Sequence, residues 1–414
     1  MKEYIKENLD KPGELEKLYR DNKSSFKKAF YELWPEIQDV MLAKAWNERL
    51  NYRAEAITLG QKRELLVVII LSIFAGLIAK IPALTGIGED YFYPRHLGFV
   101  VFPALSAYFA WKQSLSLKKT MFLAAIFIVS AVYINLFPQT EKSDTLNLVS
   151  IHLPLMLWAT TAYAFTADAW NKIEKRISYL RYNGDLLVMS AVILLAGFLL
   201  SAVTVGLFKL IGLNIEVYYF QYVAIWGLAG TPVVATWLIQ SNPQLVKHVS
   251  PVIAKVFTPL VLLMMTIYLL AIVYTGKDPY NDREFLLVFN ALLIGVMAII
   301  HFSLAETEQS ATSSFGLLML FLLSLLTIII NSIALSAIVF RISSWGVTPN
   351  RLAVMGANLL ILINLVMVSY RLFLSLRQPE KIETVNNSIA VFLPLYAAWT
   401  AVVVFVFPTL FNFA

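Results

Sequence analysis

Long apolar segments follow one another through most of the chain, from Leu65 almost to its end. Most are close to the roughly 20 residues that an α-helix needs to cross about 30 Å of hydrocarbon. Because 58% of the residues are hydrophobic and only 14% are charged, a water-soluble domain with one core is excluded. The sequence predicts an all-α, polytopic transmembrane helical bundle of about 11 spans, at 65–84, 97–111, 119–137, 146–169, 185–211, 217–240, 252–275, 285–303, 315–340, 352–375 and 389–413.

The segment 97–111 is the weakest of these predicted spans because it is short. It reads LGFVVFPALSAYFAW, and it either gains length from the preceding YFYPRH or enters the bilayer without crossing it. The second alternative gives 10 spans.

Residues 1–64 form a charged segment that precedes the apolar runs. Its apolar residues recur at helical spacing, as in Leu15, Leu18 and Tyr19, so we expect two or three small cytosolic helices, with Pro35 opening the last one. The chain therefore divides into a helical segment, 1–64, and a transmembrane domain, 65–414. The segment either docks a protein partner or forms an amphipathic collar that lies on the bilayer surface or packs on the inner loops.

Positive charges are distributed unevenly about the predicted spans. Of the 33 Lys and Arg residues, 25 fall in residues 1–64 and in the loops on one side, and 8 fall on the other side. Cytoplasmic loops carry an excess of such residues. We therefore expect a cytosolic N-terminus and an extracytoplasmic C-terminus.

The stretch RISSWGVTPNR, residues 341–351, lies between two of the most apolar runs of the chain. Gly346 suits a turn, Thr348 suits a helix N-cap, and Pro349 suits the first helical position. Trp345 belongs at the membrane interface, where the arginines at either end of the stretch can extend to lipid headgroups. Two arginines within eleven positions also suit the binding of an anion or a lipid phosphate.

GVTPNR followed by a long apolar span, with the runs before it, resembles a bacterial multi-pass membrane family known as domain of unknown function forty-one fifty-three. The resemblance covers about residues 185–375 and depends on this short motif and on the order of apolar segments. It implies a location in the bacterial inner membrane. It implies no catalytic residue, because the family has no established activity.

Asparagines lie deep within the predicted spans on both sides of this turn, and they are Asn290, Asn331, Asn358 and Asn364. Counting residues from the turn places Asn331 and Asn358 at similar depth in neighbouring antiparallel helices. An amide in hydrocarbon needs a partner, so these residues either join helices by hydrogen bonds or line a polar path that opens near Arg341 and Arg351. In the same region of the chain, HFSLAETEQS contains His301, Glu306 and Glu308, which form either a proton or cation site or a solvated helix end.

Other functional classes find little support in the sequence. The chain has no cysteine, and HExxH, GxSxG and phosphate-binding glycine motifs do not occur in it, so we expect no cofactor, no metal site and no typical enzyme. The charge pattern also does not indicate nucleic-acid binding, and the sequence indicates no particular oligomeric state. The bilayer is the expected environment. Span number and buried polarity favour a transporter-like or permease-like protein for a small solute or lipid; the alternatives are a membrane scaffold or signalling subunit that acts through residues 1–64 and, third, a lipid-modifying enzyme.

Overall fold

The computed structural model describes residues 1–51, 62–137, 143–210, 213–244, 258–267, 269–270, 274, 280, 283–305, 314–378 and 381–413. Every regular element among these residues is a helix. The chain divides into two compact units, Met1–Thr58 and Leu59–Ala414. We call them the N-terminal unit and the membrane unit.

Four helices form the described part of the N-terminal unit: α1 (Lys2–Glu7), α2 (Pro12–Asp21), α3 (Lys23–Ile37) and α4 (Met41–Asn51). They exceed the two or three that the sequence predicts. Pro35 lies inside α3 and does not open a helix; the chain leaves the helix two residues later. The four helices share one apolar core, made of Ile5, Leu15, Phe26, Ala29, Phe30, Leu33, Ile37, Ala43, Trp46 and Leu50.

The first part of the membrane unit contains eight α-helices. They are α5 (Lys62–Ala79), α6 (Ile81–Thr85), α7 (Glu89–Lys112), α8 (Leu117–Asn135), α9 (Asp144–Thr166), α10 (Ile173–Leu210), α11 (Glu216–Tyr219) and α12 (Ile225–Ser241). A short 3₁₀ turn, Ala167–Ala169, follows α9, and a π-helical segment, Phe220–Ala224, joins α11 to α12.

The second part begins with α13 (Thr258–Ile267) and α14 (Arg283–Ala305). The chain then forms two long neighbours, α15 (Ser314–Trp345) and α16 (Pro349–Arg377), before α17 (Ile382–Phe405) and the short α18 (Phe407–Leu410). The predicted span 389–413 therefore contains the end of α17 and the whole of α18. The two helices are separated at Val406, two residues before Pro408.

Seven helices in the described part of the chain are long and apolar enough to cross a membrane. They correspond to the predicted spans 119–137, 146–169, 185–211, 217–240, 315–340, 352–375 and 389–413. The span predicted at 65–84 is divided between α5 and α6, and 97–111 lies within α7, which includes YFYPRH. These apolar helices indicate a protein embedded in a membrane.

The two largest apolar cores among the described residues of the membrane unit each join several helices. Helices α5, α7, α9, α10 and α12 share a core that includes Val68, Leu105, Tyr108, Ala164 and Val233. Helices α14, α15, α16 and α17 share another that includes Leu293, Leu323, Ile361 and Ile389. The turn and all four asparagines singled out by the sequence belong to the helices that share the second core.

Candidate functional site

The turn between α15 and α16 has the local structure that its sequence predicts. Gly346 adopts φ +79°, in the left-handed region that favours glycine, and its N–H donates to the carbonyl of Ile342 at 2.9 Å. The Thr348 hydroxyl accepts a hydrogen bond from the N–H of Arg351 at 3.3 Å, and Pro349 is the first residue of α16. The predicted cap, turn and helix start are all confirmed.

This turn brings two arginines to one tryptophan ring. The guanidinium carbons of Arg341 and Arg351 lie 5.5 and 5.7 Å from the centroid of the Trp345 ring. The Nη1 of Arg351 donates to the carbonyls of Trp345 and Gly346, at 3.0 and 2.7 Å. Arg341 does not extend freely to the membrane surface: it is 8% exposed, and its Nε donates to the carbonyl of Tyr280 at 2.8 Å.

Three of the predicted asparagines meet where α14, α15 and α16 pack together. The Nδ2 of Asn331 donates to the backbone carbonyl of Asn358 at 3.0 Å, and the Nδ2 of Asn358 donates to the Oδ1 of Asn290 at 2.7 Å. The equal depth expected for Asn331 and Asn358 in antiparallel helices is thereby confirmed. Each amide forms the kind of interhelical hydrogen bond that joins helices in membranes.

Hydroxyl groups extend this contact along the α15–α16 interface. Seven residues before Asn331, Ser324 lies on the same face of α15, and its hydroxyl is 2.7 Å from that of Ser369 on α16. Thr327 lies on the same face of α15, between Ser324 and Asn331 and one turn before Asn331. All of these side chains are buried. We call Asn290, Ser324, Thr327, Asn331, Asn358 and Ser369 the polar seam.

One oxygen atom of the polar seam lacks a hydrogen-bond partner among the described residues. The carbonyl of Asn358 can only accept, so it fixes the amide nitrogen of Asn331 towards itself and turns Oδ1 of Asn331 the other way. This Oδ1 is buried and has no hydrogen-bond partner in the described part of the chain, and Asn331 is 0% exposed. Leaving a buried acceptor unpaired costs about 1–3 kcal/mol, so a group that donates to this atom would bind favourably.

Asn364 lies outside the polar seam. It is six residues beyond Asn358, which places it about 240° around the helix, on the face towards α17. There its Nδ2 donates to the hydroxyl of Tyr396 at 2.9 Å. Its Oδ1 is also buried without a partner in the described part of the chain.

The arginines are likewise separate from the polar seam. Arg341 lies ten residues beyond Asn331, about 15 Å along α15, and Arg351 lies seven residues before Asn358, about 10 Å along α16. The residues predicted to form one polar path therefore form three groups: the arginines at the turn, the polar seam, and the pair formed by Asn364 and Tyr396.

His301 is buried near the end of α14, and its Nε2 has no hydrogen-bond partner among the described residues. Glu306 and Glu308, which the sequence groups with it, lie outside the described residues. The ranges that the structure describes contain no group of three or more histidine, aspartate or glutamate side chains that could hold a metal ion. The proton or cation site stays a prediction.

Lys80 is a feature that the sequence interpretation missed. It is 4% exposed at the junction of α5 and α6. Its Nζ donates to the carbonyl of Gln221 at 2.6 Å and lies 4.4 Å from the centroid of the Tyr222 ring. Both partners belong to the π-helical segment, whose wider turn changes which N–H each carbonyl meets. The glycines and proline of IPALTGIG mark a helix end after Lys80, but no sequence signal indicates its distant partner.

The N-terminal unit has a cleft of its own, of 470 Å³. An ionic group lies along it: Glu16 accepts from Arg20 at 2.7 Å and pairs with Arg49 at 2.5 Å. The hydrogen bond from Arg49 is the main cause that holds the pKa of Glu16 below its usual value. The lining residues are Pro12, Glu16, Arg20, Leu42, Ala45, Trp46 and Arg49.

Comparison with known proteins gives no match: neither a family model, nor a curated protein, nor a solved structure is similar to this chain. The resemblance to domain of unknown function forty-one fifty-three stays a prediction. The arrangement of side chains therefore carries the functional argument.

Proposed function

We propose that the chain is a transporter-like protein of the bacterial inner membrane, and that a small polar solute contacts the polar seam as it crosses the bilayer. The proposal includes about eleven spans, a cytosolic N-terminus and an extracytoplasmic C-terminus. The observation that carries it is the buried Oδ1 of Asn331, which accepts no hydrogen bond from any residue that the structure describes. In hydrocarbon such an atom has no water to accept from, so a solute hydroxyl or amide is a suitable donor.

Interrupted helices give further support. The junction of α5 and α6 lies against the π-helical segment before α12, where Lys80 binds Gln221. Irregular backbone within a membrane is tolerated only where protein or a water-filled cavity surrounds it, and transporters use interrupted helices at their binding sites.

The chemistry of the polar seam narrows the class of solute. Helices α15 and α16 contain neither Asp nor Glu along their whole length, and the seam consists of amides and hydroxyls. Such groups recognise a ligand by hydrogen bonds and not by ion pairs. A small, uncharged, polar solute is the substrate class that fits best.

Single cysteines test the path directly, because the chain contains no cysteine of its own. Asn331→Cys and Asn358→Cys are treated with a membrane-impermeant thiol reagent in intact cells and in inverted vesicles. We expect both positions to be labelled from at least one side. Leu323→Cys, on α15 in the apolar core, is the matched negative control, and Trp345→Cys at the exposed turn is the positive control. If Trp345→Cys is labelled and both seam positions stay unlabelled in folded protein, the amides only join helices and the proposal is wrong.

A membrane scaffold is the second candidate, and the fold of the N-terminal unit favours it. The four helices direct their apolar residues into a shared core, which leaves a charged surface and a cleft for a partner. The two functions predict different results when variants are expressed in a strain that lacks the native chain. A scaffold predicts that a chain without residues 1–51 fails to restore the strain, while Asn331→Leu restores it; a transporter in which the N-terminal unit has no role predicts the reverse.

A further inference from the structure

His301 is a buried titratable side chain that the polar seam does not use. It is 8% exposed, within the predicted span 285–303, and its Nε2 has no hydrogen-bond partner among the described residues. Histidine is the side chain whose charge changes most readily near neutral pH. An ionisable side chain inside a membrane is unfavourable, and such residues usually mark functional sites. The smallest ligand that an unpaired imidazole nitrogen binds is a proton.

Helix geometry places His301 on the side of α14 that meets the polar seam. Tyr280, just before α14, accepts a hydrogen bond from Arg341 near the end of α15. Asn290, further along α14, bonds to Asn358 of α16. Helix α14 is therefore antiparallel to α15 and parallel to α16. His301 is eleven residues beyond Asn290, which places it about 16 Å further along the helix but only about 20° around it.

The same number of residues along α16 leads to the hydroxyl groups of the polar seam. Ser369 lies eleven residues beyond Asn358, and its hydroxyl is 2.7 Å from that of Ser324 on α15. Because α14 and α16 are parallel, His301 is at about the level of this hydroxyl pair. The polar seam therefore leads from the asparagines, past two hydroxyl groups, to a buried imidazole.

Few described charges lie at the level of His301. Helix α10 contacts α14 where Gly184 lies against the ring of Phe302, which places Asp185 at about this level. The charged and titratable side chains that the structure describes within about one turn of this level on α10, α13, α15, α16 and α17 are Arg181, Tyr182, Asp185, Tyr370 and Arg371. None of them pairs with the Nε2 of His301. Arg181 and Asp185 have opposite charges, so their effects on an imidazolium oppose each other.

We propose that the Nε2 of His301 binds a proton when the polar seam opens, so that passage of the solute is linked to proton binding; this inference depends on the function proposed above. In the described state the imidazole is buried, and because an unpaired charge there is unfavourable, the proton is absent. When the helices separate for a solute, water reaches the imidazole, whose pKa in water is about 6.5. The lone pair of Nε2 then accepts a proton from a hydronium ion. Closure returns that proton to the water that leaves.

The test measures cysteine labelling of the polar seam at different pH values. In the full-length chain, the rate at which the membrane-impermeant thiol reagent labels Asn358→Cys is divided by the rate for Trp345→Cys at the exposed turn. This division removes the pH dependence of the thiol itself. Because the open state binds the proton and the closed state does not, the ratio should rise about tenfold between about pH 7.5 and about pH 5.5 while the open state is the minor one.

Three histidine variants assign the effect, each combined with the two cysteine reporters. His301→Gln keeps a polar side chain that does not titrate, so its ratio should not change with pH. His301→Leu should behave in the same way, and it serves if the glutamine variant fails to fold, because the neighbouring Ile300 and Leu304 belong to an apolar core. The matched control is His152→Gln. His152 is also in a membrane helix, but its Nδ1 donates to the carbonyl of Leu148 at 2.8 Å, and this variant should keep the native rise.

Two results would overturn the proposal, and they separate it from the proposed function. If Asn358→Cys is labelled but the ratio does not change with pH, or rises equally in both His301 variants, the polar seam opens without a proton on His301. Transport then stands and the proton link is wrong. If Asn358→Cys stays unlabelled at every pH while Trp345→Cys is labelled, the proposed function is wrong and the proton link is wrong with it.

Discussion

The two units of this chain place polar and apolar residues in opposite ways. In the N-terminal unit the aromatic rings are inside, with Phe26 and Trp46 5.0 Å apart, and the ion pairs are on the surface. In the membrane unit Leu195 and Phe198 are exposed, while Asn331 and Asn358 of the polar seam are buried. In water the burial of apolar surface is favourable. In lipid apolar surface can stay exposed without cost, whereas an unpaired polar group is unfavourable.

The forces that hold helices together therefore differ between the units. Four short helices in water depend on a filled core, because each helix alone is too short to be stable. In lipid the hydrophobic effect between helices is absent, so close contact and interhelical hydrogen bonds take its place. The three predictions below test this contrast, beginning with the largest effect.

Removal of one core ring should unfold the N-terminal unit. Phe30 is fully buried and lies 6.0 Å from the rings of Phe26 and Trp34. Phe→Ala in a core costs about 3–5 kcal/mol, which is comparable to all that a single core of this size supplies. In the full-length chain, we expect Phe30→Ala to abolish amide hydrogen-exchange protection over residues 1–51.

The control for this prediction is Met41→Ala, since Met41 is 83% exposed and its removal should leave protection unchanged. Protection that survives Phe30→Ala would mean that the unit does not depend on its core.

In the membrane unit, a methyl group added where two helices touch should destabilise the folded chain. A Cβ at Gly76 of α5 would lie 2.2 Å from the Trp226 ring of α12. We expect Gly76→Ala to cost about 1–3 kcal/mol through overpacking. Thermal unfolding of the detergent-solubilised chain measures this as a lower Tm.

Gly197→Ala is the matched control, because nothing lies within 4 Å of its Cβ position in α10. Alanine favours a helix over glycine by about 1 kcal/mol, so this variant should be neutral or slightly more stable. If both alanines shift Tm in the same direction, glycine contacts do not govern packing in this unit.

Surface ion pairs should make the smallest contribution. Lys6 and Glu36 are 2.8 Å apart, and this hydrogen bond holds the pKa of Glu36 below its ordinary value of 4.5. A carboxyl with a lowered pKa in the folded state stabilises above its unfolded pKa, and this stabilisation is lost as the pH falls through the folded value. Hydrogen-exchange protection over residues 1–51, corrected for intrinsic rates, should fall slightly below a pH of about 4.5.

Salt and a variant separate this effect from general acid unfolding. Exposed ion pairs are screened by salt, and Lys6→Gln should flatten the pH dependence. If protection in Lys6→Gln depends on pH as it does in the native chain, carboxyl groups other than that of Glu36 cause the dependence.

Local signals and residue counting predicted the turn and the central contact well. Gly346, Thr348 and Pro349 each depend only on near neighbours, so their sequence determines the turn. The meeting of Asn331 and Asn358 followed from counting along two antiparallel helices that this turn joins. The partners of Arg341 and Lys80, Tyr280 and Gln221, lie 61 and 141 residues away, and no local pattern contains them.

Interpretation of the helices was limited for a similar reason. Apolar length located seven helices that are long and apolar enough to cross a membrane, but it treated 65–84 as one run because Lys80 is a single charge among apolar residues. The position of Asn364 on a different face from Asn358 follows from helical geometry, but which helix that face meets depends on packing. Composition places a residue in the membrane, and only tertiary structure gives it a partner.

The bond between Lys80 and Gln221 has a consequence for the biogenesis of the protein. A ribosome adding about 5–20 residues per second needs roughly 7 to 30 s to synthesise the 141 residues between them. Over that interval the Lys80 ammonium group is in or near the bilayer without its carbonyl acceptor. Helix α5, the first of the membrane unit, is therefore expected to remain close to the insertion machinery, or to bind a headgroup temporarily, until the segment that contains Gln221 has entered the membrane.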